Sequence, residues 1–228
     1  MLSSRFLLLA RTVKIFGAFL LSVLLCAMPL AFTSPLSEQL IREAYFLGER
    51  HDGTYRRLLE KYMKFLPRPK TGPHISSVLF DTPFLQMVAY ADKYFGNYSA
   101  QQAQIDYRNK GEEVVHVSVE IQLTDSYGQM VAVPANSGAN SSAGFPPRPH
   151  DFSKGFAVRI YDRGRELTPD DSRSHANSRC GRRGPCVLTG ATPEFDFPAT
   201  AFTSDSATVD VMPEADVVSV NFDLSSLR

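Results

Sequence analysis

Residues 114–123 read Val-Val-His-Val-Ser-Val-Glu-Ile-Gln-Leu. Val115, Val117, Val119, Ile121 and Leu123 alternate with His116, Ser118, Glu120 and Gln122. A period of two places the apolar set on one face and the polar set on the other, which predicts a half-buried strand with one wet face. His116 falls on the wet face and reads as exposed.

Towards the C-terminus the same period returns. Phe156, Val158 and Ile160 alternate, and Asp162-Arg163-Gly164-Arg165 supplies a turn. Phe195 and Phe197 mark another strand. Val209 and Val211 lead through Pro213-Glu214-Ala215-Asp216 into Val218, Val220, Phe222 and Leu224, a hairpin pattern. Residues 111–228 therefore read as an antiparallel β-sandwich-like domain. Two long loops interrupt it. Residues 128–155 are half Gly, Pro, Ser and Asn, and include Pro146-Pro147-Arg148-Pro149. Residues 163–186 are rich in arginine and carry two cysteines.

Towards the N-terminus the period lengthens. Residues 34–110 read as three to four helices. Ser34 caps the first, with Pro35 in its first turn and Leu36, Leu40, Ala44 and Leu47 as its stripe. Asp52 or Thr54 starts the second, which carries Leu58, Leu59, Tyr62, Met63 and Leu66 and stops at Pro67. Asp81 or Thr82 starts the third, with Pro83 in its first turn and Phe84, Val88, Ala91 and Phe95 on its apolar side. Ser99 and Gln102 have capping-box spacing for a short fourth. The fold class is α+β, with helices first and the β-domain after them.

Residues 1–33 form an export segment. Arg11 and Lys14 precede the uncharged run 15–32, whose centre is Leu- and Val-rich, and small residues follow Pro29. That order predicts a signal peptide cut near Ser34, or else a signal anchor, and so an extracytoplasmic, secreted or envelope-associated protein. Cys180 and Cys186 agree with an oxidising compartment. Gly181, Gly184 and Pro185 let the chain turn between them, and a short disulfide loop is the expected product. Zinc knuckles place two to four residues between cysteines, and five intervene here.

The charge balance excludes a strongly basic nucleic-acid binder. The chain holds 24 bases and 24 acids, and residues 1–34 contain three of the bases and none of the acids. No phosphate-cradling glycine loop and no nucleophile elbow occur. His51, His74, His116, His150 and His175 show no local metal-ligand spacing. No catalytic residue, metal site or cofactor site is assigned on these grounds.

The strongest patch is Arg173, Arg179, Arg182 and Arg183, joined by His175. No acid lies between Ser172 and Gly184. Guanidinium forks suit phosphate, sulfate or carboxylate groups, so the expected contact is with a protein, a glycan or an anionic surface. A membrane enters only through an uncleaved N-terminal segment. The reading as a whole favours a non-catalytic extracytoplasmic interaction or structural protein. Its alternative is an extracytoplasmic hydrolase whose site is assembled from scattered His, Asp and Glu residues.

Overall fold

A computed structural model describes residues 32–50, 52–70, 72–124, 152–180, 186–213 and 216–228. Residues 31–228 form one compact unit. The fold is α+β, with helices N-terminal to most of the strands and two antiparallel sheets packed as a sandwich.

The helices form where caps and apolar spacing agree. Helix α1 (Glu38–Gly48) starts with the Ser37 hydroxyl accepting from the Leu40 N–H at 3.3 Å. Ser34, the expected cap, instead donates its hydroxyl to the Glu113 carboxylate. Helix α2 (Thr54–Tyr62) follows Asp52, whose carboxylate accepts from the Thr54 N–H at 2.9 Å. Helix α3 (Pro83–Lys93) is capped by Thr82 and has Pro83 where a missing N–H costs nothing. Helix α4 (Ala100–Asn109) is capped by Ser99, which accepts from the Gln102 N–H at 3.1 Å.

Ile41 and Ala44 of α1 join Phe84, Met87 and Val88 of α3 and Ala103 of α4 in a helical core. Gly48 lets α1 touch α3. A Cβ built there would lie 2.4 Å from the Val88 carbonyl oxygen.

Residues 34–110 are not wholly helical, which corrects the sequence reading. Helix α2 ends at Tyr62, and Met63–Phe65 form strand β1. Pro73–Asp81 form strand β2. A bulge between Ile75 and Ser77 breaks the alternation of β2, so its sequence shows no clean period of two. Phe95 lies beyond the end of α3 and is exposed, not part of an apolar stripe.

Strand β3 (Val114–Leu123) pairs antiparallel with β2 on one side. Two immediate sheet neighbours are thus joined by the whole of residues 82–113, which hold α3 and α4. The decisive stretch behaves as its pattern requires. Val115, Val117, Val119 and Ile121 are fully buried, while His116, Ser118 and Glu120 occupy the other face.

The remaining strands are β4 (Phe156–Asp162), β5 (Arg165–Leu167), β6 (Asp171–Cys180), β7 (Cys186–Pro198), β8 (Ser206–Pro213) and β9 (Val218–Asp223). One sheet runs β1-β2-β3-β7-β6 and the other β5-β4-β8-β9. The expected β8–β9 hairpin is present, with Val209 opposite Val220. Gly190 of β7 passes so close to β3 that a Cβ there would lie 2.2 Å from the Ile121 carbonyl oxygen.

Residues 181–185 lie outside the described residues, and the described residues of 163–186 are not a loop. They supply β5, β6 and the first residue of β7. The sequence hides β6 because it is an edge strand exposed along nearly its whole length, so neither face selects apolar residues. Within the expected loop 128–155, residues 152–155 form a short 3₁₀ turn, and residues 128–151 lie outside the described residues.

The inner faces of the two sheets share one core. The Phe80 ring meets Phe202 at 5.0 Å and Phe222 at 5.4 Å between centroids. Edge-to-face and tilted pairs of this kind add to simple burial. Residues 1–33, the expected export segment, lie outside the described residues but for Phe32 and Thr33. Among the described residues, no helix is long and apolar enough to cross a membrane.

Candidate functional site

Of the predicted arginine patch, the structure describes Arg173 and Arg179. Arg173, on the edge strand β6, turns across the sheet. Its Nε donates to Glu194 Oε2 at 2.7 Å, and its Nη1 donates to Asp196 Oδ2 at 2.7 Å. Both acids come from β7, too far along the chain for the sequence to warn of them. Arg173 is therefore paired with two carboxylates of its own sheet rather than standing as an open anion fork. Arg179 is exposed on β6. Arg182 and Arg183 lie outside the described residues, as do His51 and His150. Cys180 and Cys186 stand directly opposite each other as register partners of β6 and β7.

Arg173 belongs to a charged row that crosses four strands on the wet face of the larger sheet. Register places Asp81 opposite His116, His116 opposite Asp196, and Asp196 opposite Asp171. Residues directly opposite in antiparallel strands share a face. His116 Nδ1 lies 2.6 Å from Asp196 Oδ1, so His116 is paired and not simply exposed. Burial pushes the Asp196 carboxyl up, but hydrogen bonds from Arg173 and His116 outweigh it and hold the group below the usual carboxylate range. Asp81 at the end of the row is different. Its Oδ1 is buried with no hydrogen-bond partner, and burial lifts the carboxyl to about 7 against the opposing pull of Lys110. Among the described residues, no hydrogen bond joins His116 to a hydroxyl or thiol, and no group of His, Cys, Asp and Glu is arranged to hold a metal.

A cavity of about 330 Å³ opens between α3, α4 and the segment leading into β3. This volume is at the small end of the range for small-molecule sites. Met87, Tyr90, Tyr98 and Tyr107 form much of its wall, and Asp106, Lys110, Glu112 and Glu113 contribute its charges. The aromatic wall continues outward. Tyr90 stands 5.0 Å from Tyr98 at 67° and 4.5 Å from Tyr94. Tyr45 of α1 braces this group, donating its hydroxyl to the Tyr98 carbonyl at 3.1 Å.

The polar floor of the cavity is fixed. Gln86 donates through Nε2 to the carbonyls of Asp81 (3.1 Å) and Val114 (2.7 Å), and its Oε1 accepts from Lys110 Nζ at 2.7 Å. Glu113 accepts from the Leu36 N–H at 2.9 Å, and the Tyr107 hydroxyl accepts from the same N–H at 2.7 Å. Gly111, at φ 84°, makes the turn between Lys110 and Glu112 that closes this end. The Tyr98 hydroxyl is buried without a hydrogen bond of ordinary geometry. Burial, followed by the nearby Asp106 carboxylate, pushes its ionisation well above the normal tyrosine range.

Sequence reasoning missed this cavity. The available signal was the spacing of Tyr90, Tyr94 and Tyr98 at four-residue steps, with Asp106 one helix later. No protein-family model and no curated protein matches the chain.

Proposed function

We propose that the protein is a non-catalytic extracytoplasmic binding protein whose ligand site is the tyrosine-walled cavity between α3 and α4. The supporting observation is that rigid floor. Gln86, Lys110 and Glu113 are committed to hydrogen bonds within the protein, and the wall they support is aromatic. A cavity fixed in this way binds with little ordering cost, and histidine, the commonest general base, is not part of its lining.

The extracytoplasmic part of the proposal rests on the pattern of residues 1–33 and on the cysteine pair. Directly opposed residues of antiparallel strands have Cα atoms about 4.5–5.5 Å apart, inside the disulfide range. A Cys180–Cys186 disulfide that closes the β6–β7 hairpin fits this register. Arg179, followed in sequence by Arg182 and Arg183, remains the candidate contact with a protein, glycan or anionic surface.

The test is a fragment screen by saturation-transfer NMR on protein with isotope-labelled tyrosine rings. The expected result is a set of binders that shift the Tyr90 and Tyr98 ring signals together. Binders that shift only other tyrosines, or none at all, overturn the assignment. Mass spectrometry of the protein from its own host tests export and the disulfide. The expected mass begins near Ser34, and Cys180 and Cys186 resist alkylation until reduction.

A hydrolase is the second reading, and the charged row favours it. His116, Asp196 and Asp81 are scattered in the chain yet adjacent across the sheet. It requires turnover of an ester, amide or glycoside substrate that disappears in His116→Ala.

A further inference from the structure

We infer that the cavity between α3 and α4 is a receptor for a small organic cation carrying an alkylammonium head. This inference rests on the binding reading above and names the ligand class for the same site.

Three observations converge on a cation. The charged groups of the wall are Asp106, Glu112 and Glu113 against Lys110 alone. Lys110 is engaged by the Gln86 side-chain amide oxygen and faces the Asp81 carboxyl, so its charge is partly answered before any ligand arrives. Glu113 is held by the Ser34 hydroxyl and the Leu36 N–H, which leaves Asp106 and Glu112 as the carboxylates that face the cavity against Lys110.

The rings are arranged for the same purpose. Tyr90 and Tyr98 meet at 67° with centroids 5.0 Å apart, forming two walls of a corner. A cation in such a corner meets negative ring faces, and each contact is worth about 0.5–2 kcal/mol according to solvation. Next to this corner a lysine already uses the same chemistry, with Lys93 Nζ 5.4 Å from the Tyr94 centroid. Tyr94 is thereby occupied, while Tyr90 and Tyr98 line the cavity itself.

The third observation is the position of Asp106. Asp106 lines the cavity together with Tyr90 and Tyr98. Its charge raises the ionisation of Tyr98 after burial, and that of Tyr90 after burial and the neighbouring Tyr94. One carboxylate beside two ring walls is a match for an ammonium head. Asp106 already accepts one hydrogen bond, from Gln102 Nε2 at 2.8 Å, which holds it in place. An anionic ligand would meet the same carboxylate and the same ring faces as repulsion. The cavity volume accommodates a head of choline size and excludes a folded macromolecule.

The experiment is an NMR titration of the full chain with choline and, separately, with 3,3-dimethylbutan-1-ol, which has the same shape without the charge. Choline is expected to shift the Tyr90 and Tyr98 ring signals, with affinity about tenfold above that of the neutral alcohol. Asp106→Asn is expected to remove most of that difference in a protein whose backbone amide spectrum shows the native fold. Putrescine, a primary diammonium, tells whether methylated heads are preferred.

Equal binding of choline and the alcohol overturns the cation inference but leaves the binding reading intact. Fragment hits in the cavity that are neutral or anionic, with neither choline nor putrescine binding, do the same. An empty fragment screen removes both. Unchanged choline affinity in a folded Asp106→Asn protein also overturns the inference, because the carboxylate is then irrelevant to recognition.

Discussion

Ser204 gives both its backbone N–H and its hydroxyl to one oxygen of Asp162, at 3.1 and 2.5 Å. Thr203 does the same to the other oxygen, at 3.2 and 2.8 Å. The Asp162 side chain is only 3% exposed at the end of β4, and the segment before β8 is tied to it. Burial pushes the carboxyl up, yet these donors outweigh it and hold the group below the usual carboxylate range.

Asp162→Ala leaves two hydroxyls and two N–H groups without their acceptor, and is expected to cost about 3 kcal/mol. The pH dependence has a definite sign. A carboxyl whose folded-state pKa lies below its unfolded value stabilises the fold above about pH 3.9. That contribution fades as pH falls through the lower, folded value. Urea unfolding from pH 6 to pH 2 should show wild-type stability falling below about pH 4, and a flatter profile in the variant. Equal stability of the two proteins at pH 6 would refute the assignment.

Arg173→Ala tests the charged row. The ion pairs are partly exposed, so the expected stability loss is about 1 kcal/mol or less and shrinks in high salt. The sharper readout is the Asp196 carboxyl, followed by carbon NMR. It should titrate at higher pH in the variant, because its main hydrogen-bonded cation is gone. An unchanged Asp196 titration would mean that the pairing contributes nothing in solution.

Gly190→Ala and Gly155→Ala form a matched pair. At Gly190 the new methyl meets the Ile121 carbonyl oxygen, a backbone atom that moves only if β3 and β7 separate. A loss of about 2–3 kcal/mol is expected. At Gly155 nothing lies within 4 Å of the same methyl. Thermal unfolding should therefore place the Gly155 variant near wild type and the Gly190 variant well below it. Equal melting temperatures would argue against the close strand approach.

Phe80→Ala empties the centre of the sandwich, where Phe202 and Phe222 lean on the ring. The expected cost is about 3–5 kcal/mol. Phe65→Ser changes a ring that is 70% exposed on the short edge strand β1, and stability should move by about 0.5 kcal/mol or less. Denaturant midpoints of the two variants check the contrast.

What the chain disclosed about itself followed from burial. Strands β3, β4, β8 and β9 each bury one face, so selection for apolar residues writes a period of two into them. Strand β2 buries most of its residues and carries a bulge at Ser76, and its pattern is lost. Strand β6 buries almost nothing, so polar residues fill both faces and it reads as a loop. The caps Thr82 and Ser99 were legible because capping is a local event. The pairing of His116 with Asp196, and of Arg173 with Glu194, depends on strand register between distant segments. Nothing within a few residues of either partner encodes it. The cavity is hidden for the same reason, since its walls come from two helices and the segment after them.

Strands β2 and β3 lie side by side and antiparallel, an arrangement that a tight two-residue turn can join. Here the connection is instead residues 82–113, which bring the tyrosine-walled cavity with them. In topological terms the cavity is housed in the enlarged connection of a hairpin. Leu85 of α3 joins the sandwich core, whereas Phe84, Met87 and Val88 of α3 and Ala103 of α4 pack in the helical core. A change confined to residues 82–113 can therefore reshape the cavity while the valines and phenylalanines of the two-sheet core beneath it stay as they are.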